Sequence, residues 1–367
     1  MRFLHHGESS AGMTLPDLKT SIASYEASLA KEFGPALNRD DLKLKHKKMR
    51  KSAFKFLRGT CWRWAEAAPS LCPDLFDAPL AGSVGDAHAG NFGLWRDAQF
   101  RLVWGVNDYD EAARLPYPLD LVRLGASLIM DDDGISDDGD AASVADNLLS
   151  AYQEGLAAPA PFVLEDRHLW LRDLFENGSE ERAQFWEKLE ALDDHEAIPP
   201  EFEASLLAAL PGGTTHPRFR HRQAGVGSLG RPRFVAFGTY RGGALAVEIK
   251  GAMPSCWHGR EQPGLAEHLA TGRFRSPDPT LRYEDAFVLR RLAPNNRKLT
   301  FSEIKPKLKV KLIAAMAREL AAIHAADGDV KAISDDLRGR PEGWLADTIH
   351  RVAKWTVKEW DTFKDGD

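Results

Sequence analysis

The sequence predicts a two-lobed α+β protein, on three observations. At 367 residues the chain is longer than a single core usually serves. Apolar residues recur at helical spacing through most of the first two hundred positions and again near the C-terminal end. Between these regions the stretch FRHRQAGVGSLGRPRFVAFGTYRGGALAVEIK, residues 219–250, is rich in glycine, β-branched and aromatic residues, as strands and tight turns require. The reading divides the chain into a mainly helical lobe over 1–215, a β-rich lobe over 216–300, and helices over 301–367 that return to the first lobe. The stretch PGGTTH, residues 211–216, marks the first boundary.

Composition excludes several classes. Apolar content of 43% and charged content of 28% describe an ordinary globular protein. A net charge of −6 supplies no overall attraction to nucleic acid or to an anionic membrane. No apolar run approaches the roughly 20 residues of a membrane helix, and the opening MRFLHHGESSAG lacks an apolar signal core. Three cysteines (Cys61, Cys72 and Cys256) have no metal-type spacing and suit reduced thiols in a cytoplasmic protein. The ten tryptophans show no repeat and read as core or pocket-wall residues.

In chain order, Leu18, Ile22, Tyr25, Leu29 and Phe33 predict a helix over 14–33. A second is expected from about Arg39 through Ala67. Its basic run (Lys43, Lys45, Lys47, Lys48, Arg50, Lys51, Lys55) reads as a solvated face. Arg58 differs: in Phe56-Leu57-Arg58-Gly59 it has apolar neighbours and is expected to point inward, toward a phosphate or a carboxylate. Phe92–Trp95 and Phe100–Val106 form a hairpin around a polar turn. Residues 118–130 are apolar nearly all round, so that helix is buried, and its Asp120 and Arg123 need partners. Asp120, at the helix start, suits backbone N–H groups from a nearby loop. The acidic loop 131–140 lacks the calcium-loop spacing. Helices are expected over 142–156, 167–176, 180–192 and 201–210. Strands follow over 233–240 and 245–250, joined by Arg241-Gly242-Gly243, with another over 287–292. A helix over 301–326 and a final one over 335–367 complete the chain.

Two groups carry chemistry. In Gly85-Asp86-Ala87-His88-Ala89-Gly90-Asn91, Asp86 reads as a catalytic base or a hydroxyl-positioning residue and His88 as a brace for the loop. The hairpin returns Asn107-Asp108-Tyr109-Asp110 toward that loop. Asn91 and Asp108 then offer the hard oxygen donors that Mg²⁺ prefers, while Asp110 assists the metal or orients the Asp108 loop. The second group is Gly225, Gly227, Ser228 and Gly230 before a strand hairpin, with Lys250 at a strand end. A dinucleotide fold would place a helix after such a loop. Between strands, the glycines would cover phosphates and the lysine would hold them.

The GDAHAGNFG, NDYDEA and PLDLVRLGASL segments resemble the catalytic region of aminoglycoside/choline-kinase-type phosphotransferases. Together with SAFKFLRG, GVGSLG, EIKGAMPS and ELAAIHA they resemble, over roughly residues 45–330, the bacterial domain-of-unknown-function family 2252. The resemblance implies a protein-kinase-like fold and ATP and Mg²⁺ as cofactors. It implies a catalytic aspartate at Asp86, metal ligands at Asn91 and Asp108, a loop brace at Asp120 and a phosphate contact at Lys250. Val84 stands where the kinase His-x-Asp motif has its histidine. The glycine loop and lysine follow the catalytic segment here, the reverse of the kinase order, so a circularly permuted kinase-like fold is expected. Kinases pair this lysine with a helical glutamate, for which Glu261 and Glu267 are candidates. The expected activity is phosphoryl transfer to a hydroxyl acceptor of unspecified class, small molecule or protein, with no nucleic-acid or membrane partner. A nucleotide-binding pseudokinase or scaffold and an AMP transferase share the same parts. A metallophosphoesterase would need an Asp-x-His upstream of Asp86, and the sequence has none.

Overall fold

Capping side chains decide where the first helices begin. A computed structural model describes residues 15–130, 140–192, 198–257, 262, 264–295, 297, 301 and 304–366. Asp17 accepts from the Thr20 N–H to open α1 (Leu18–Phe33). Asn38 accepts from Asp40 and Asp41 N–H at the start of α2 (Arg39–Met49), and Ser52 from Lys55 N–H at the start of α3 (Ala53–Gly59). The single helix expected over 39–67 is therefore three. Ser52 caps a new helix, and Thr60, at φ −131° and ψ 42°, breaks away before α4 (Cys61–Leu71).

The chain then forms β1 (Leu80–Ser83), the hairpin β2 (Phe92–Arg96) and β3 (Leu102–Val106), and β4 (Ala113–Pro116). β1 pairs antiparallel with β4, and Phe92 faces Val106 across the hairpin, as expected. The helix α5 (Pro118–Leu128) is buried along its whole length. After α6 (Ala141–Ala157), β5 (Phe162–Val163) adds to the edge of β3, and α7 (Leu169–Phe175), α8 (Ser179–Glu190) and α9 (Pro200–Ala209) follow.

The β-rich stretch is a five-stranded antiparallel sheet of β6 (Thr215–His221), β7 (Arg233–Tyr240), β8 (Gly243–Gly251), β9 (Arg282–Tyr283) and β10 (Phe287–Leu292), in the order β6-β7-β8-β10-β9. The short α10 (Leu265–Ala270) lies between β8 and β9 in sequence. Arg241 (φ 47°) and Gly242 (φ 80°) make the tight β7–β8 turn, which requires positive φ at both central positions. One sheet face packs Phe234, Ala236, Val247 and Ile249 against Phe202 and Leu206 of α9. On the other, Val235, Phe237 and Ala246 meet Leu189 of α8. Two helices that precede residue 216 thus cover the sheet. α11 (Pro306–Asp327) packs along α6. The tail is two helices, α12 (Val330–Gly339) and α13 (Trp344–Asp365), where one was expected. Pro341 and the left-handed Gly343 (φ 76°) interrupt it. α13 returns to pack on α5 and α6. No helix of the described residues is long and apolar enough to cross a membrane.

Candidate functional site

The loop after β1 turns through Gly85, whose φ of 76° is left-handed and whose Cβ, if present, would land on the Glu111 carbonyl oxygen. Only glycine meets both demands. Asp120, buried at the start of α5, accepts from the backbone N–H of Val84 (2.7 Å) and Gly85 (3.0 Å), the role its sequence position suggested. His324 of α11 completes the support. Its Nε2 lies 3.2 Å from Asp120 Oδ2, and the Tyr152 hydroxyl lies 2.7 Å from its Nδ1. The carboxylate accepts, so Nε2 carries a proton toward Asp120, while Nδ1 and the Tyr152 hydroxyl share the second hydrogen bond.

Asp86 is held by Arg123, whose Nε and Nη2 both reach Oδ1, at 2.7 and 2.5 Å. Burial works against the Arg123 charge, but the Asp86 carboxylate outweighs it and leaves the guanidinium more firmly protonated than usual. His88 accepts from the Gly90 N–H through Nδ1 at 3.0 Å, and its Nε2 is 3.8 Å from Asp86 Oδ2. Burial lowers its pKa to about 3, so the ring is neutral at physiological pH and braces the loop. Arg58 does point inward. Its guanidinium sits against Gly90, where a Cβ would come within 3.1 Å of Cζ, and its Nε–H has no partner among the described residues. Burial pulls its pKa down, while Asp86 and Asp108 pull the other way.

Asn91 stitches the two acidic loops together. Its Nδ2 donates to the carbonyls of Asp108 (2.9 Å) and, at greater length, Asp86 (3.4 Å). Two carbonyl acceptors fix the amide's orientation, which leaves Oδ1 as a buried acceptor with no hydrogen-bond partner. From the opposite sheet, Lys250 on β8 brings Nζ to 3.1 and 3.2 Å from the Asp108 carboxylate oxygens and 2.6 Å from Asp110 Oδ2. Enclosure by the protein raises the Asp108 pKa, but Lys250 and Arg290 reverse this and hold the carboxyl well below its usual range. Its side chain is 37% exposed, so the carboxylate is reachable. Glu267 is exposed on α10, and the aspartate pair occupies the place expected for a glutamate; Glu261 lies outside the described residues.

The glycine loop joins β6 to β7 and rests on α2. The Lys45 Nζ donates to the Gly227 carbonyl (2.9 Å), the Asn38 N–H to the Gly230 carbonyl (2.9 Å), and Gln223 and His221 contact the Asp41 carboxylate. Gly225 (φ 71°) and Gly230 (φ 100°) are left-handed, and Gly227 passes close to the Arg58 carbonyl. Ser228 Oγ accepts from Arg233 at 2.6 Å. Lys45 is buried, unlike the solvated face the basic run predicted.

Sequence reasoning missed a set of charged residues. Arg231 donates to Asp110 (2.7 Å) and Glu111 (3.4 Å). Glu111 accepts from Cys256 N–H (2.7 Å), and burial pushes its carboxyl pKa up. Glu248, fully buried, gathers Arg222, Arg233 and Arg290. Burial alone would raise its pKa, but the three guanidiniums hold it well below the usual carboxylate range. The one legible signal was alternation along β8, which puts Glu248 on the same face as Lys250.

Among the described residues no group of three or more His, Cys, Asp or Glu side chains is arranged to hold a metal ion. The orphaned Asn91 Oδ1 and the reachable Asp108 carboxylate nevertheless suit a cation that takes one or two protein oxygens and completes its shell with phosphate and water, as Mg²⁺ does. No curated protein and no solved structure matches the chain. Residues 38–189, which carry Asp86, Asn91, Asp108 and Asp120 but end before the glycine loop and Lys250, match the family described as "Uncharacterized protein conserved in bacteria (DUF2252)".

Proposed function

We propose that the protein is an ATP- and Mg²⁺-dependent phosphotransferase with a circularly permuted kinase-like fold, acting on a hydroxyl acceptor. One observation carries the reading. Lys250, on the third strand of the sheet and after a glycine-rich first hairpin, meets Asp108, which lies 142 residues earlier in the chain. In kinases the strand lysine and the metal-binding aspartate belong to one phosphate site, whatever the order of the segments.

In this scheme the loop of Gly225, Gly227, Ser228 and Gly230 covers the phosphates, and Lys250 exchanges its aspartate contacts for phosphate oxygens. Asn91 Oδ1 and Asp108 would hold Mg²⁺, which offsets charge on the transferring phosphoryl group. Asp86 orients the acceptor hydroxyl through its Oδ2, because Arg123 engages Oδ1 alone. Arg123 also fixes that carboxylate's orientation through two N–H groups on one oxygen, which suits a positioning role. Arg58 brings a further cation to the same loop.

Thermal-shift measurements with ATP, with and without Mg²⁺, test this. The wild-type chain should be stabilised by ATP in a metal-dependent way, and Asp108→Asn should abolish the metal dependence. No response to ATP and Mg²⁺ at millimolar concentration would refute the reading.

A further inference from the structure

The sheet face that carries Lys250 changes character along its length. At one end Val235, Phe237 and Ala246 are covered by α8. Along β8 the same face goes on to Glu248, which lies between Val235 and Arg290 on the flanking strands, and to Lys250, directly opposite Arg233. Arg222 enters from the start of the glycine loop, where its N–H bonds the Arg233 carbonyl and closes the loop's base. All three arginines converge on the one carboxylate.

A buried ion cluster stabilises a fold only when its charges balance and its N–H groups are satisfied. Here three guanidiniums share one carboxylate, and a neighbouring lysine leans on aspartates that also attract Arg290. Arg290 spends Nε and Nη2 on one Glu248 oxygen, and Arg222 reaches Glu248 through Nη1. The side chains of Arg222 and Arg290 are 24% and 29% exposed, so their remaining N–H groups can be reached from outside. The guanidinium fork matches phosphate oxygens in pairs, which an ammonium cannot do.

We propose that Arg222 and Arg290, gathered with the buried Arg233 on Glu248 at the base of the glycine loop, form a phosphate-binding site that takes one end of a polyphosphate chain whose other end lies at Lys250. The site deepens the proposed function and rests on it for the Lys250 end, but it needs neither metal nor acceptor and so is measured without them. The chain is either free or the phosphate part of a nucleoside triphosphate. Glu248 acts as the post that gathers the forks, and the glycine loop folds over them.

Calorimetric titration of the full chain with sodium tripolyphosphate in EDTA tests the proposal. The wild-type protein should bind, and Arg222→Gln and Arg290→Gln should each weaken binding at least tenfold. Arg290→Lys, which keeps the charge but loses the fork, should also weaken it and serves where a glutamine variant does not fold. Asp108→Asn separates this site from the proposed function. It removes a negative neighbour of Arg290 and Lys250, so it should tighten metal-free tripolyphosphate binding while it abolishes the Mg²⁺ dependence of the ATP response. ATP that displaces tripolyphosphate with higher affinity would support the nucleotide as source, and weaker displacement would support the free chain. Absence of tripolyphosphate binding to the wild-type chain, or affinities in the folded arginine variants within twofold of wild type, would overturn the proposal.

Discussion

His88 shows how a single side chain ties the site to pH. Its ring accepts from the Gly90 N–H and titrates near 3 in the folded protein, against about 6.5 in an unfolded chain. Between those values the unfolded state binds a proton that the native state refuses. Stability therefore falls as pH drops from 6.5 toward 3, by about 1.4 kcal/mol per pH unit for this one group. His88→Asn keeps a side-chain acceptor for Gly90 and removes the titration. Its urea-unfolding free energy should decline less steeply than the wild-type value between pH 6.5 and 4, and parallel slopes would contradict the assignment. Glu248 and Asp108 act in the same direction at lower pH. Their depressed pKa values contribute stability that is present above about 4 and is lost as acid protonates the folded state.

At the scale of elements, the turn between β1 and the Asp86 loop is the strictest. Gly85→Ala meets about 2 kcal/mol of backbone strain and also drives a methyl group into the Glu111 carbonyl, so its loss of stability should exceed that of Gly242→Ala. Gly242 has a similar φ of 80° but nothing within 4 Å of its missing Cβ. Thermal melts of the two variants give the comparison. Local pattern made the β2–β3 hairpin and the buried α5 legible in the sequence, and burial told that Asp120 and Arg123 must be paired. The breaks at Ser52 and Thr60 were not legible, because a polar residue on a helix face and a cap look alike until the backbone is known. Glu248 and its arginines were illegible for another reason. Arg290 faces Glu248 only through the β8–β10 register, which no local spacing encodes.

For the whole molecule, α2 is the joint between the two groups of chemistry. Its buried Lys45 holds the Gly227 carbonyl, and its Asp41 holds Gln223 and His221. Lys45→Met should leave the fold intact but free the glycine loop, measured as faster amide hydrogen exchange confined to residues 224–231. Unchanged exchange there would show that the lysine is not what restrains the loop. The Asp120–His324 contact joins distant parts of the chain. It spans 204 residues, and the same helix sends Glu319 back to the Val106 N–H, 213 residues earlier. During synthesis the Asp86 loop leaves the ribosome long before the helix that locks it. Until α11 emerges, Asp120 has its backbone donors but no imidazole, and the end of β3 lacks its carboxylate. The loop of Asp86 and the strand end before Asp108 thus stay unfinished until α11 has been made, and a product truncated before α11 carries these acidic residues without their brace.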